Sequence, residues 1–313
     1  IGKATERIFL VPIKMTMVPE IVDMELPVEG VFHNLAIVKI KKEYPGQAIK
    51  VMHSMWGAGQ MMFNKFMIVV DGDVDIHNYE AVARYISANT NPETDIHFTQ
   101  GPVDVLDHSC SVMAFGGKMG IDATRKMPEE RIPTAQTADE SEVLKVKSLN
   151  FEHRTPNFKL EFPEIHDIND SLLQKGISIL FMSVEKNRKN HLRELSEKLS
   201  KHNLFAEIKM ILFLDHTVDI TSVADAVWRF TNNVDPKRDS FIFSNHIAMD
   251  GTRKTKELDG FDRDWPNILC SDEKTIQRVD EIWDKLGLGK FISSPSLRYR
   301  SQLYKGGAVV TEQ

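Results

Sequence analysis

The chain contains part of itself twice. Residues 65–95 (KFMIVVDGDVDIHNYEAVARYISANTNPETD) align without a gap on residues 209–239 (KMILFLDHTVDITSVADAVWRFTNNVDPKRD), at a constant offset of 144. Eight of the 31 positions are identical: Lys65/Lys209, Asp71/Asp215, Val74/Val218, Asp75/Asp219, Ile76/Ile220, Asn89/Asn233, Pro92/Pro236 and Asp95/Asp239. Further on, Asp122-Ala-Thr-Arg-Lys126 matches Asp250-Gly-Thr-Arg-Lys254, now at an offset of 128, so sixteen residues are absent from the second copy between the two blocks. Most of them belong to the stretch 101–126, GPVDVLDHSCSVMAFGGKMGIDATRK. A duplication restricts the fold because both copies must bury the same pattern. Positions kept in both read as scaffold, and residues confined to the first copy read as candidates for chemistry or ligand contact. A long glycine-dense loop inside a compact domain is uncommon unless it has a function.

The apolar periodicity predicts an α/β fold: two related β-α-β-α-β units with mainly parallel sheets flanked by helices. In the first unit, 35–40 and 66–70 read as strands, the second buried on both faces. Between them Pro45 opens a helix whose buried stripe is Ala48, Val51, Met52, Met55 and Trp56, ended by Gly57 and Gly59. Asn78 caps a second helix, with Val82, Tyr85 and Ile86 towards the sheet, and 96–98 is a short third strand. The second unit repeats this with strands 177–184, 210–214 and 241–243, a helix marked by Leu192, Leu195 and Leu199, and another over 223–230. A last helix, 271–286, carries Ile276, Val279, Ile282, Trp283 and Leu286 as its apolar stripe. At the start, 2–15 reads as a short helix with Ala4, Ile8 and Leu10 on one side. Residues 19–30 hold Glu20, Asp23, Glu25 and Glu29, read as a solvated acidic linker in preference to an acid–base pair. The expected organisation is a domain over 1–130, a linker over 131–165 and a second domain over 166–313.

A net charge of −6 lacks the basic face that nucleic-acid binding needs. No apolar run has the length of a membrane span and no signal peptide is visible, and two cysteines, Cys110 and Cys270, fit a cytoplasmic protein. Asp71-Gly-Asp73-Val-Asp75 imitates a calcium loop but has Ile76 and Val82 where glycine and glutamate belong, so these acids read as turn and cap residues. Gly57-Ala-Gly59 closes a helix instead of opening one, which excludes a dinucleotide fingerprint. Asp107-His108-Ser109-Cys110 sets nucleophile types beside a base, but adjacent residues rarely converge as a working triad. Gly116-Gly117-Lys118 leaves two readings open, an anion cradle or a tight turn with a surface lysine. No His/Cys cluster has zinc spacing, and the fourteen methionines read as core fillers.

Several separate blocks, in order, resemble the carboxyl-terminal part of UbiD-type decarboxylases, the group of 3-octaprenyl-4-hydroxybenzoate carboxy-lyase. They are IGKATERIF, PEIVDMELPVEGVFHN, IVKIKKEYPGQAIKVMHSMWGAGQMMFNKFMIVVDGDVD, GPVDVLDHS and GGKMGIDATRK, and they cover residues 1 to about 130. Residues 166–313 resemble an added repeat of the same domain. The resemblance implies reversible decarboxylation of an aromatic or unsaturated carboxylic acid, a quinone precursor such as a polyprenyl-hydroxybenzoate among them, in ubiquinone or menaquinone biosynthesis. It implies prenylated FMN held with manganese and potassium, a homo-oligomer, and peripheral membrane association. The flavin module and its acid network are expected ahead of Ile1, and no EGPFG-like block is present, so no catalytic or metal-binding residue carries over. The chain alone is then expected to be inactive. What carries over is one wall of the substrate pocket: Pro102, Val103, Asp104, Val105 and Leu106, with Met61 and Met62 beside them. The competing expectation is a non-catalytic assembly or regulatory subunit.

Overall fold

Once the offset of 144 is applied, the elements of the two copies begin and end on the same residues. The computed structural model describes residues 2–131 and 160–304. In it β1 (Ile21–Glu25), β2 (Leu35–Ile40), α2 (Gln47–Trp56), β3 (Phe66–Asp71) and α3 (Tyr79–Asn89) follow the first helix, α1 (Gly2–Thr16). Their counterparts are β6 (Ile165–Asn169), β7 (Ile179–Val184), α4 (His191–Ser200), β8 (Met210–Asp215) and α5 (Val223–Asn233). Each copy closes with an antiparallel pair, β4 (Ile96–Pro102) with β5 (Phe115–Asp122) and β9 (Ser240–Phe243) with β10 (His246–Asp250). The two five-stranded sheets have the orders β1-β2-β3-β5-β4 and β6-β7-β8-β10-β9. The inner pairs β2/β3 and β3/β5, like β7/β8 and β8/β10, are parallel; the strand at each edge is antiparallel. The α/β class and the two related units stand, with sheets that are mixed.

Side chains alternate across each strand with period two. Leu35 and Ile37, Phe66 and Val70, Ile179 and Phe181, Met210 and Leu212 face one common core, which α3 and α5 also enter. The opposite faces are covered separately. Ala36, Val38, Ile40, Met67 and Val69 pack under α2 and α1, and Leu180, Met182, Val184, Ile211 and Phe213 under α4. Both faces of the inner strands are therefore dry, which is why they read as continuous apolar runs. Residues 132–159, most of the expected linker, lie outside the described residues. Ile1–Phe261 forms one compact unit and Asp262–Gln313 another.

Several local expectations change. The third strand predicted at 96–98 is an antiparallel edge strand, and the third parallel strand is β5, inside the stretch read as loop. Its glycines hid it, because glycine weakens a strand pattern unless another chain comes close. A Cβ on Gly117 would lie 2.2 Å from Asp235 Oδ1 and 2.6 Å from the Lys237 nitrogen. Gly116-Gly117-Lys118 is thus neither cradle nor turn. The Gly117 N–H does meet an anion, the resident carboxylate of Asp235 at 3.2 Å, while Lys118 is buried and donates to the carbonyls of Met62 (2.6 Å) and Asn64 (2.7 Å). The helix placed at Pro45 starts at Gln47, after Gly46 in the left-handed region (φ 73°). In α1 the buried residues are Gly2, Glu6 and Ile13, and Ile8 is 69% exposed. The helix Glu273–Ile282, α6, buries Ile276 but leaves Val279 and Leu286 exposed, since Trp283–Leu286 continues as a tighter 3-10 turn that rotates off the α-helical stripe.

Residues 19–30 are no solvated linker. Lys50 pairs with Glu20 at 2.7 Å, Arg7 with Asp23 at 2.6 Å, and Glu25 accepts from Tyr79 (2.7 Å) and meets His77 (2.8 Å) and Lys3. Burial works against ionising these three carboxyls, yet Lys50, Arg7 and Lys3 hold each below its ordinary range. All three are consumed in ion pairs that tie α1 and α2 to β1 and the residue before it, and the Tyr79 hydroxyl ties in α3.

The contact between the two copies is reciprocal in the manner of an isologous dimer. Lys209 donates to the carbonyls of Ser87 (2.6 Å) and Thr90 (3.0 Å) at the end of α3. Its repeat partner Lys65 donates to the carbonyl of Val234 (3.0 Å), the residue equivalent to Thr90, at the end of α5. Ser178 N–H to Ser87 Oγ (2.8 Å), Asn34 to Asn232 (3.0 Å) and Thr231 to the Glu29 carbonyl (2.7 Å) complete the polar seam. Lys209→Met removes two hydrogen bonds from a charged donor. It is expected to cost about 1.5–3 kcal/mol, read as a lower urea midpoint at unchanged m.

Candidate functional site

The two copies differ most between their closing strands. In the second, β9 and β10 are joined by Ser244 and Asn245, with Ser244 at φ 52°. In the first, residues 103–114 intervene, and this hairpin holds every pocket residue predicted from the loop. Its neck is closed by the Val103 N–H to the Ala114 carbonyl at 3.1 Å. Asp104 accepts the Leu106 N–H at 2.8 Å and its carbonyl accepts the Asp107 N–H at 3.0 Å, which winds the tip into a turn.

The base of the hairpin is a buried charge cluster. Lys65 Nζ lies 2.8 Å from Asp107 Oδ2, with both side chains fully buried, and donates to Ser109 Oγ at 3.0 Å. Ser109 in turn donates through Oγ (2.6 Å) and N–H (2.8 Å) to Asp107 Oδ1. His108 Nε2 lies 3.1 Å from Asn233 Oδ1, and Arg238 donates to the Ser109 carbonyl (2.8 Å) and to Ser111 Oγ (3.2 Å). The first copy's hairpin is thus bolted to residues 233–238 of the second. Burial opposes the charge on Asp107, but the Lys65 ammonium holds its carboxyl below the usual range. Burial, helped by the Lys65 charge, pushes His108 down to about 4, and burial pushes the Cys110 thiol up to about 12. The run thus sets a neutral, hydrogen-bonded imidazole beside a protonated buried thiol. Burial also lowers Lys118 to about 8.

Above this base the hairpin is apolar and open. Leu106 is 80% exposed, Met113 65%, Val105 60%, Val112 59% and Phe115 47%, and Pro102 is exposed as well. Val103 is fully buried and Asp104 half-buried. Met61 and Met62 lie on a 3-10 turn (Gly59–Phe63); Met61 packs into the core under α2, and Met62 is half-buried, linked to β5 through Lys118. Among the predicted residues the structure therefore presents Pro102, Val105 and Leu106 together at one surface. Sequence reasoning missed Val112, Met113 and Phe115 on the returning side; the apolar spacing of SVMAF was their only signal. Among the described residues no three of His, Cys, Asp and Glu converge as a metal site, and no helix is long and apolar enough to cross a membrane.

The positions shared by both copies are scaffold at the carboxyl ends of the strands. Asp122 and Asp250 each accept the N–H and hydroxyl of Thr124 and Thr252, and Lys126 and Lys254 each cap the carbonyls of the same two residues. Asp71 and Asp215 each accept a backbone N–H, from Arg125 and Arg253. The turn role expected for Asp71, Asp73 and Asp75 fits: Arg125 bridges Asp71 and Asp73, and Asp75 accepts from the His77 N–H.

Fold and hairpin together define a duplicated mixed α/β domain with an apolar insertion in one copy. The family described as "3-octaprenyl-4-hydroxybenzoate carboxy-lyase C-terminal domain" matches residues 1–123 and 152–258, and the chain belongs to this family, the UbiD carboxyl-terminal domains. A Helicobacter pylori (strain J99) protein is 32% identical over 282 residues, which is 89% of this chain and 42% of that protein. An Archaeoglobus fulgidus protein is 52% identical over 131 residues, 42% of this chain and 27% of that protein. The chain thus spans less than half the length of these relatives. Among solved structures, vanillic acid decarboxylase of Sedimentibacter hydroxybenzoicus in its open form overlaps at 27% identity and a TM-score of 0.37, over 48% of this chain and 31% of that one. The UbiD-class enzyme HmfF from Pelotomaculum thermopropionicum in complex with FMN overlaps at 22% identity and a TM-score of 0.37, over 45% and 31%.

Asp107→Asn leaves the Lys65 ammonium buried without its counter-charge and is expected to cost about 3–5 kcal/mol, most of it recovered by the double change Lys65→Met with Asp107→Leu. Because the folded pKa of Asp107 lies below the unfolded one, its stabilisation is present above about pH 4 and is lost as pH falls through the depressed value. Denaturation of wild type and Asp107→Asn should therefore converge in acid.

Proposed function

We propose that this chain is the carboxyl-terminal part of a UbiD-like, prenylated-flavin-dependent (de)carboxylase acting on an aromatic or unsaturated carboxylic acid. In this reading the hairpin after β4 forms one wall of the substrate pocket. The observation that carries it is the contrast between copies: an exposed apolar tip, absent from the second copy, stands on a buried and fully paired base. Large apolar side chains gathered in one exposed patch mark a contact surface, and a rigid base keeps such a wall in place. The family match, described by a hydroxybenzoate carboxy-lyase, supports the reading of an aromatic acid.

The described residues do not supply the donor set for a divalent metal, and the hairpin offers no cation to a flavin phosphate. When bound, the flavin supplies the electron sink that takes up the pair left on carbon as CO2 departs. The residues of this chain would do simpler work. Pro102, Val105 and Leu106, with Phe115, would pack on the apolar part of the acid and keep water from the reacting carbon. The carboxylate itself would be met by groups elsewhere in the longer protein. A cytoplasmic homo-oligomer with manganese and potassium beside the flavin, serving quinone synthesis or the breakdown of aromatic acids, is the setting this reading implies.

A second reading, a non-catalytic assembly subunit, draws on exposed Leu286, Leu288, Phe291, Ile292 and Leu297 in the Asp262–Gln313 unit, which suit protein contact.

The test is Leu106→Asp in the full-length protein carrying its flavin. At 80% exposure the change should shift stability by no more than about 0.5 kcal/mol, yet CO2 release from the aromatic acid should fall at least about tenfold in kcat/KM. Ile242→Ala, on the short hairpin of the second copy, should leave turnover unchanged. Wild-type activity in Leu106→Asp would refute the pocket wall and favour the assembly reading.

A further inference from the structure

Between the two sheets lies a cavity of about 350 Å³. Its walls are repeat partners facing one another: Leu35 and Ile179, Phe66 and Met210, Ile68 and Leu212. Ile68 sits in the middle of β3, where every neighbour along the strand from Phe66 to Val70 is buried, yet it is only half-buried, because no described residue fills the space in front of it. Among the described residues the lining is apolar but for four, and the polar atoms of those four are engaged elsewhere. Tyr79 donates to Glu25 (2.7 Å) and Thr231 to the Glu29 carbonyl (2.7 Å). Glu80 and Lys175 pair with each other at 2.6 Å across the rim, where Arg84 joins both.

We propose that this cavity is a binding site for an uncharged, apolar molecule of about ten carbon atoms, naphthalene-like or monoterpene-like in size. An apolar cavity of roughly 150 Å³ stays dry and takes up benzene; this one has more than twice that volume. Water needs two to four polar partners to remain in such a space, and the lining residues turn theirs away. An empty apolar volume lowers stability in proportion to its size, so an apolar guest is favoured there. A charged guest would lose its hydration with no counter-charge to meet. The entrance is the Glu80–Lys175 pair, with both side chains about half exposed; such surface pairs are weak and can part to admit a ligand. This site is separate from the hairpin and does not rest on the decarboxylase reading.

Calorimetric titration of the intact chain with naphthalene, and with 2-naphthoate as its charged counterpart, tests the proposal. Naphthalene should bind saturably at one per chain and raise the thermal midpoint, and 2-naphthoate should bind at least tenfold more weakly. Ala83→Phe and Val227→Phe fill the cavity from opposite walls. Whichever of them keeps the wild-type midpoint or exceeds it should bind naphthalene at least tenfold more weakly, whereas Leu106→Asp should bind it as wild type does. The proposal is overturned by absence of saturable naphthalene binding, by equal binding of the naphthoate, by unchanged affinity in a folded filling variant, or by loss of binding in Leu106→Asp.

Discussion

Two lysines, Lys65 fully buried and Lys209 half-buried, hold the molecule together, and the rest of the structure is arranged to make them tolerable. A helix ends with unsatisfied carbonyls carrying partial negative charge, a natural place for a cation. Lys65 and Lys209 each fill that place on the other copy's helix, so the two sheets cannot separate without stranding two ammonium groups and two helix ends. An ammonium buried against carbonyls alone is still costly, and burial lowers the pKa of Lys209 accordingly. In the first copy the insertion brings Asp107 to within 2.8 Å of Lys65. The hairpin thus stands where a buried cation needs a counter-charge. That is a physical reason for the long loop to sit on this copy's lysine with a rigid base.

The sequence made the duplication visible, and with it most of the scaffold. The strands at 35–40 and 66–70 and the stripe Ala48, Val51, Met52, Met55, Trp56 declared themselves because their burial is set by neighbours close in sequence. The identity Lys65/Lys209 was equally visible, but its meaning was not, since each lysine acts on a carbonyl more than a hundred residues away. β5 was hidden for a related reason. Its glycines are there because Asp235 and Met52 press on the strand, and no local pattern announces a neighbour from another part of the chain. The acids of 19–30 misled in the opposite direction: their partners Lys3, Arg7, Lys50 and Tyr79 are scattered over three elements, so a paired cluster looked like a solvated run.

The difference between the copies marks the segment of the candidate site, and the family resemblance marks the residues within it. Pro102, Val105 and Leu106 carry over from that resemblance, and the structure sets them at the surface. Val103 came from the same argument and is buried, as the strand alternation at a hairpin neck requires of every second residue. A comparison of copies identifies the segment that differs; it does not say which side of that segment faces outward.

The second copy is more than a spare. Asn233, Val234, Asp235 and Arg238 all come from the end of α5 and the turn after it, and all four touch the first copy's β5 or the base of its hairpin. Without them Lys65 would lose an acceptor, the Gly117 N–H its carboxylate and the Ser109 carbonyl its donor. A chain carrying a single copy would leave these groups unpaired on an open face, and buried or half-buried polar groups without partners are costly. Because the contact is isologous, the same surface on a second molecule could supply them. Duplication makes that supply intramolecular and so independent of concentration. It also frees one of the two faces from symmetry, and only in a body whose halves need no longer be identical can one half lose the insertion while the other keeps it.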